Sequence, residues 1–307
     1  MKQSLSTLLA IFALIGGAVM AVGADAQEPK VNASMLVSSD WLAQHLHDPN
    51  LVILCVAADR GFYTQHIPGA RWIPLDRLVT QGATLNAIPP IEQLKTLLEE
   101  VGLDRHSQIV IYGEKQGLLA ARAYVTLDYL GLADHAALLD GGIEKWRAEK
   151  RDESSEIPKV KATRLELTPN PKMLVALDEM KSHALHGDAT LLDARPTAEF
   201  TGEKRSEDVP QSGHIRGAEG LYWVNLLTSR EMPTLKPAAE LLAAYTAAGA
   251  RPKREVISYC RTGMQASVDY FVAKYLGFPS RIYVPSFYEY SRSDGAVESS
   301  MEQPRPK

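Results

Sequence analysis

The chain has 307 residues, is 45% hydrophobic and carries a formal net charge of −4. A mild negative balance without a basic stripe, and without aromatic residues interleaved among basic ones, excludes a nucleic-acid partner. Beyond the first 26 residues about 280 remain, more than one ordinary core and enough for two domains.

Met1-Lys2 is a short positive start, residues 8–22 form an apolar run, and Ala24-Asp25-Ala26 has the small-x-small pattern of a signal-peptidase site. The run is short for a membrane span and no cysteine follows it, so neither a transmembrane anchor nor a lipid anchor is expected. Residues 1–26 therefore read as a cleavable signal peptide. The mature chain would begin near Gln27 and be periplasmic or secreted, with no membrane association after cleavage.

Residues 27–152 form a first unit. Strand-length apolar runs lie at 51–56 and 108–112, and helical spacing at 40–46, 91–101 and 117–130, where Leu94, Leu97 and Leu98 share a face. A polar, charged stretch at 149–162 marks the joint, with the linker set at 153–168. The second unit, 169–307, has strand candidates at 190–193, 255–259 and 280–284 and helices at 176–186, 237–248 and 266–276. Such alternation predicts an α/β fold in which each domain is a mostly parallel sheet flanked by helices.

The two units are copies. His66-Ile67-Pro68-Gly69-Ala70 recurs as His214-Ile215-Arg216-Gly217-Ala218, and Gly117-Leu118-Leu119-Ala120-Ala121 as Gly263-Met264-Gln265-Ala266-Ser267. The element from Leu139 to Trp146 is echoed more weakly from Tyr283 to Tyr290. Shared order at nearly constant offset argues for duplication. His66 and His214 occupy equivalent places, and only one copy has a candidate nucleophile, which favours a structural role for both.

Two cysteines in an exported chain invite a disulfide. Their positions argue against it, because Cys55 lies inside the apolar run at 51–56 whereas Cys260 ends the strand run at 255–259. A thiol between a strand's end and a helix N-terminus faces the helix dipole and free backbone N–H groups, both favouring thiolate. Cys55 is expected to be inert and Cys260 an exposed, reactive thiol, with Arg261 adding positive charge beside it.

At this point the chain resembles the tandem rhodanese family, two-domain sulfurtransferases of the thiosulfate or 3-mercaptopyruvate type. The resemblance is carried by Val37-Ser38-Ser39-Asp40-Trp41-Leu42, Leu192-Asp193-Ala194-Arg195, Ser212 to Ala218, and Cys260-Arg261-Thr262-Gly263. It implies a six-residue active loop of Cys260, Arg261, Thr262, Gly263, Met264 and Gln265 around a cysteine persulfide, without cofactor or metal. Cys260 would take sulfane sulfur from a small anionic donor and pass it to a thiophilic acceptor such as cyanide or a thiol. Arg195 matches the family's arginine for the anionic donor, with an ion pair to Asp193 or Glu199 as the alternative. Thiosulfate-preferring relatives often have lysine at the position of Thr262, and mercaptopyruvate-preferring ones a glycine-serine pair in place of Arg261-Thr262. Arg261 tips the expectation towards thiosulfate. In the first domain the slot equivalent to Cys260 falls at Gly113 or Glu114, so that domain is expected to lack activity and to wall a cleft above the loop. The rival readings are a cysteine phosphatase, disfavoured because no arginine closes the loop, and a sulfur carrier loaded by a protein donor, whose protein partner the sequence does not identify.

Overall fold

The computed structural model describes residues 31–82 and 84–300. The signal-peptide expectation at residues 1–26 lies outside the described residues.

Strands β1 (Leu36–Val37), β2 (Leu51–Ala57), β3 (Arg71–Pro74), β4 (Gln108–Gly113) and β5 (Ala136–Leu139) form the first sheet. They are joined by helices α1 (Ser39–His45), α2 (Ile91–Glu100), α3 (Leu118–Tyr129) and α4 (Gly142–Ala148). The order is β1-β5-β4-β2-β3, with every pairing parallel. The second copy runs α5 (Leu177–His186), β6 (Thr190–Asp193), α6 (Thr197–Thr201), β7 (His214–Ile215), β8 (Glu219–Gly220) and α7 (Ala238–Ala247). It ends with β9 (Val256–Tyr259), α8 (Ala266–Tyr275), β10 (Ser280–Ile282), α9 (Ser286–Tyr290) and β11 (Val297–Glu298). Its parallel sheet has the order β10-β9-β6-β8, and a parallel bridge from Leu174 to Ile282 stands where β1 stands in the first copy. Strands β7 and β11 pair antiparallel beside it. The duplication read in the sequence is thus a duplication of topology.

Period-two alternation sorts each strand's residues between two cores. In β2, Val52, Leu54 and Val56 face one side with Ile109 and Ile111 of β4, whereas Ile53 and Cys55 face the other with Leu42, Ile143 and Trp146 from α1 and α4. In the second copy Leu191, Ile257 and Tyr259 pack outward with Met180, Phe287 and Tyr290 from α5 and α9. The inner faces meet. A single apolar cluster runs from Val52 and Leu54 through Leu97, Leu119 and Tyr124 to Phe271, Leu241 and Leu192.

Equivalent helices α3 and α8 form the centre of this shared core. Tyr124 meets Phe271 edge to face, with centroids 4.8 Å apart. Tyr270 donates to Asp128 Oδ2 at 2.6 Å, and Lys274 pairs with the same carboxylate. Both helices are buried nearly all round, as helices held between two sheets are. This packing fixes what the second domain's inner loop faces.

Candidate active site

Cys260 follows the last residue of β9 and returns to the inner phase of that strand. Tyr259 packs into the outer core and Cys260 into the shared one. The thiol therefore points towards the first domain. Gly263 then turns the chain into α8 with φ +79°, and a Cβ there would lie 2.4 Å from the carbonyl oxygen of Val284. No other residue fits that turn without displacing backbone. The turn carries the Gly263 N–H to 3.2 Å from Cys260 Sγ, where it donates to the sulfur.

The far side of the loop is held by the start of α9, and here Ser286 is a site residue that the sequence reading missed. Its hydroxyl accepts from Cys260 N–H at 3.1 Å, donates to the Tyr283 carbonyl at 2.8 Å, and lies 4.0 Å from Cys260 Sγ. Ser286 adopts φ +57°, whereas the equivalent position in the first copy is Gly142 with φ +56°. A left-handed serine costs about 1–2 kcal/mol, and such strain persists only where surrounding bonds over-determine it. A serine replacing a glycine at a left-handed position was the available signal. Backbone bonds from Phe287 N–H to the Cys260 carbonyl (3.0 Å) and from Tyr288 N–H to the Arg261 carbonyl (2.9 Å) complete the clamp.

The first domain closes the loop from above. Asn86 donates through Nδ2 to the Thr262 carbonyl at 3.2 Å and to its hydroxyl at 3.0 Å. Met264 packs half-buried against the shared core, and Gln265 precedes α8 without a side-chain capping bond. Cys260 is only 1% exposed, which corrects the expectation of an exposed thiol. The inner phase of β9 and the opposing domain bury it, so access requires the lining groups to move. A cavity of about 660 Å³ lies along Val37, Trp41 and Ile109 of the first domain, and no residue of the loop lines it.

Arg195 is ion-paired. It is 2% exposed, its Nε lies 2.9 Å from Asp193 Oδ1, its Nη2 2.5 Å from Oδ2, and Nη2 also donates to the Gly213 carbonyl at 2.8 Å. The guanidinium stacks 4.1 Å above the Phe287 ring. Burial disfavours its charge, but the Asp193 carboxylate more than offsets this and holds it firmly protonated. The residue thus buttresses α9 beneath the loop as an ion-pair partner of Asp193, the alternative weighed for it, with Nε and Nη2 engaged. Arg261 is more open. It donates to Ser206 Oγ at 2.6 Å and lies 3.8 Å from both Glu199 and Asp208, so two carboxylates face this one cation.

Both cysteines are free. Cys55 is fully buried, and burial pushes its thiol up to about 12, which leaves it inert at neutral pH. His66 stacks on Tyr63 and His214 on Phe200, each with Nδ1 2.8 Å from a main-chain oxygen of the aromatic residue beneath it. That shared geometry is structural. Glu114 occupies the slot of Cys260 in the first copy, directly after β4, and accepts from Ala58 N–H.

Comparison with known proteins agrees with this geometry. The rhodanese-like domain pattern matches twice, at residues 38–149 and 176–292. The sulfur carrier protein TtuD of Thermus thermophilus is 33% identical over 257 residues, covering 80% of this chain and 89% of that protein. A probable 3-mercaptopyruvate sulfurtransferase of Pseudomonas aeruginosa is 30% identical, covering 85% of this chain and 96% of its own length. A putative thiosulfate sulfurtransferase of Synechococcus elongatus is also 30% identical, over 87% of this chain and 86% of its own. Among solved structures, the 3-mercaptopyruvate sulfotransferase SseA of Escherichia coli superposes with a TM-score of 0.73 at 24% identity, over 82% of this chain and 98% of its own, and shares the fold.

Proposed function

The chain belongs to the rhodanese-like family of sulfurtransferases, and from that footing we propose that it moves sulfane sulfur from thiosulfate to a thiophilic acceptor through a persulfide on Cys260. The Cys260 thiolate attacks the outer sulfur of thiosulfate. An S–S bond forms to Cys260, the donor's own S–S bond breaks, and sulfite leaves with the bonding electron pair. In the second half-reaction cyanide or a thiolate attacks the outer persulfide sulfur, and Cys260 departs as thiolate. Each half conserves charge, and neither needs an external oxidant. Two nucleophilic displacements in sequence are covalent catalysis with ping-pong kinetics.

The observation that carries this reading is the Gly263 N–H aimed at Cys260 Sγ from 3.2 Å. A backbone donor fixed by a turn that only glycine can make stabilises negative sulfur without reorganising during reaction. Thiosulfate is favoured over 3-mercaptopyruvate because a dianion gains more from positive field than a monoanion does. Steady-state thiocyanate formation from cyanide with each donor tests the proposal. Turnover with thiosulfate exceeding that with 3-mercaptopyruvate supports it, and the reverse order reassigns the donor.

A second reading has its own support. A thiol that is 1% exposed suits transfer within a docked complex, and one relative is named a sulfur carrier. Stoichiometric loading from a protein persulfide, without turnover on small donors, would favour that reading. The site is proposed to act after export, residues 1–26 being removed as a signal peptide. A mature N-terminus near Gln27 in the exported fraction is the expected finding.

A further inference from the structure

The loop's two evident cations are both spoken for. Arg195 is neutralised by Asp193, and Arg261 faces Glu199 and Asp208. A different cation enters from the other domain. Arg122 lies on α3 and is 0% exposed, and its guanidinium makes one hydrogen bond among the described residues, from Nη2 to the Asn86 carbonyl at 2.8 Å. Its Nε and Nη1 are buried without a partner among the described residues. A guanidinium sealed from water with two of its three nitrogens unsatisfied is costly unless a counter-charge arrives. Burial lowers its ordinary value to about 10, and the one influence acting in the opposite direction is the charge of Cys260.

Duplication bears on where this cation stands. With Gly117 set against Gly263, Arg122 corresponds to Val268 in the second copy. Val268 lines a cavity together with Gln116 and Gly117, the loop of the first domain that lacks a nucleophile. Val268 thus faces the first domain's loop, and the two-fold relation of the copies sets Arg122 towards the loop of Cys260, to which Asn86 links it. In one direction valine meets an inactive loop; in the other arginine meets Cys260. Arg122 also holds, through the Asn86 main chain, the residue whose side chain binds Thr262.

We propose that Arg122, contributed by the domain without a nucleophile, is the cation that draws an anionic sulfur donor to Cys260 and balances charge on the persulfide. The proposal deepens the sulfurtransferase reading and rests on it for the identity of the donor. It assigns the first domain a share in the chemistry, and it gives the site a preference for doubly charged donors such as thiosulfate.

The test compares alkylation of Cys260 by anionic iodoacetate and by neutral iodoacetamide, followed by mass, in wild type, Arg122→Met and Arg122→Lys. Both reagents meet the same thiolate through the same opening, so their rate ratio reports local positive potential alone. Wild type should show a higher iodoacetate-to-iodoacetamide ratio than glutathione does. Arg122→Met should lower the ratio about tenfold, and persulfide formation by the dianion thiosulfate about a hundredfold, since electrostatic work scales with charge. Arg122→Lys should keep most of both. A wild-type ratio no higher than that of glutathione would overturn the proposal even if the Met variant failed to fold, as would an unchanged ratio in that variant. Absence of any sulfur transfer in wild type would sink the proposed function instead, while leaving the alkylation ratio to judge Arg122.

Discussion

Ser286 offers a substitution whose cost divides into parts. Ser286→Ala removes the hydroxyl that accepts from Cys260 N–H and donates to the Tyr283 carbonyl, while keeping a Cβ at φ +57°. The residue is fully buried, so no water replaces it. Leaving the buried N–H unpaired costs about 1–3 kcal/mol, and losing the second bond about 0.5–1.5 kcal/mol. The alanine variant should therefore be less stable by roughly 2–4 kcal/mol. Ser286→Gly loses the same bonds but relieves left-handed strain, so it should be about 1 kcal/mol more stable than the alanine variant. Urea unfolding of the three proteins measures both differences. Persulfide formation should slow in both variants, because Cys260 N–H loses its anchor. An alanine variant as stable as wild type, or more stable than the glycine variant, would refute the assignment of Ser286 as a strained clamp on the loop.

Asp269 on α8 is wholly buried, and neither of its carboxylate oxygens has a partner among the described residues. Burial first, and the charge of Asp193 second, push its carboxyl well above the ordinary range. An acid raised in the fold binds more protons there than in the unfolded chain, so stability falls as pH climbs above the unfolded value of about 3.9. The slope is up to about 1.4 kcal/mol per pH unit until the folded value is reached. Asp269→Asn should match wild type near pH 4 and gain on it steadily towards pH 7, and a stability difference that stays constant over that range would contradict this account. Asp128→Ala strips the acceptor from buried Tyr270 and from Lys274 across the domain junction. It should cost about 1–3 kcal/mol in chemical denaturation, and no loss would show that α3 and α8 are held by apolar packing alone.

The sequence exposed what periodicity and repetition encode. Thr190–Asp193 is a strand with the expected bounds, and helices α2, α5, α7 and α8 lie within a residue or two of expectation at each end. Strands β3 and β8 were not legible, because they are short edge strands, Glu219–Gly220 having no apolar residue at all. In the site, Cys260 and its glycine turn could be read because local chemistry defines them. Arg195 could not be judged from sequence, since its role depends on where Asp193 points after β6 ends. Asn86 and Ser286 reach the loop from sequence separations of 176 and 26 residues, and Arg122 on α3 holds the Asn86 main chain, so the first domain's contribution exists only once the two domains pack. Asn86 and Arg122 carried no local sign of that function, and Ser286 only its replacement of the glycine found in the other copy. The position of Arg122 opposite a valine in the other copy was visible, but it acquires meaning only once the two helices face each other.

The central claim, that Cys260 carries the transferred sulfur, is tested most directly by intact mass before and after addition of thiosulfate. Wild type and Cys55→Ser should each gain one sulfur atom, located at Cys260 and lost again on adding cyanide as thiocyanate appears. Cys260→Ser, folded as judged by its unfolding transition, should gain nothing. Sulfur found on Cys55, or a Cys260→Ser protein that still forms thiocyanate, would contradict the account.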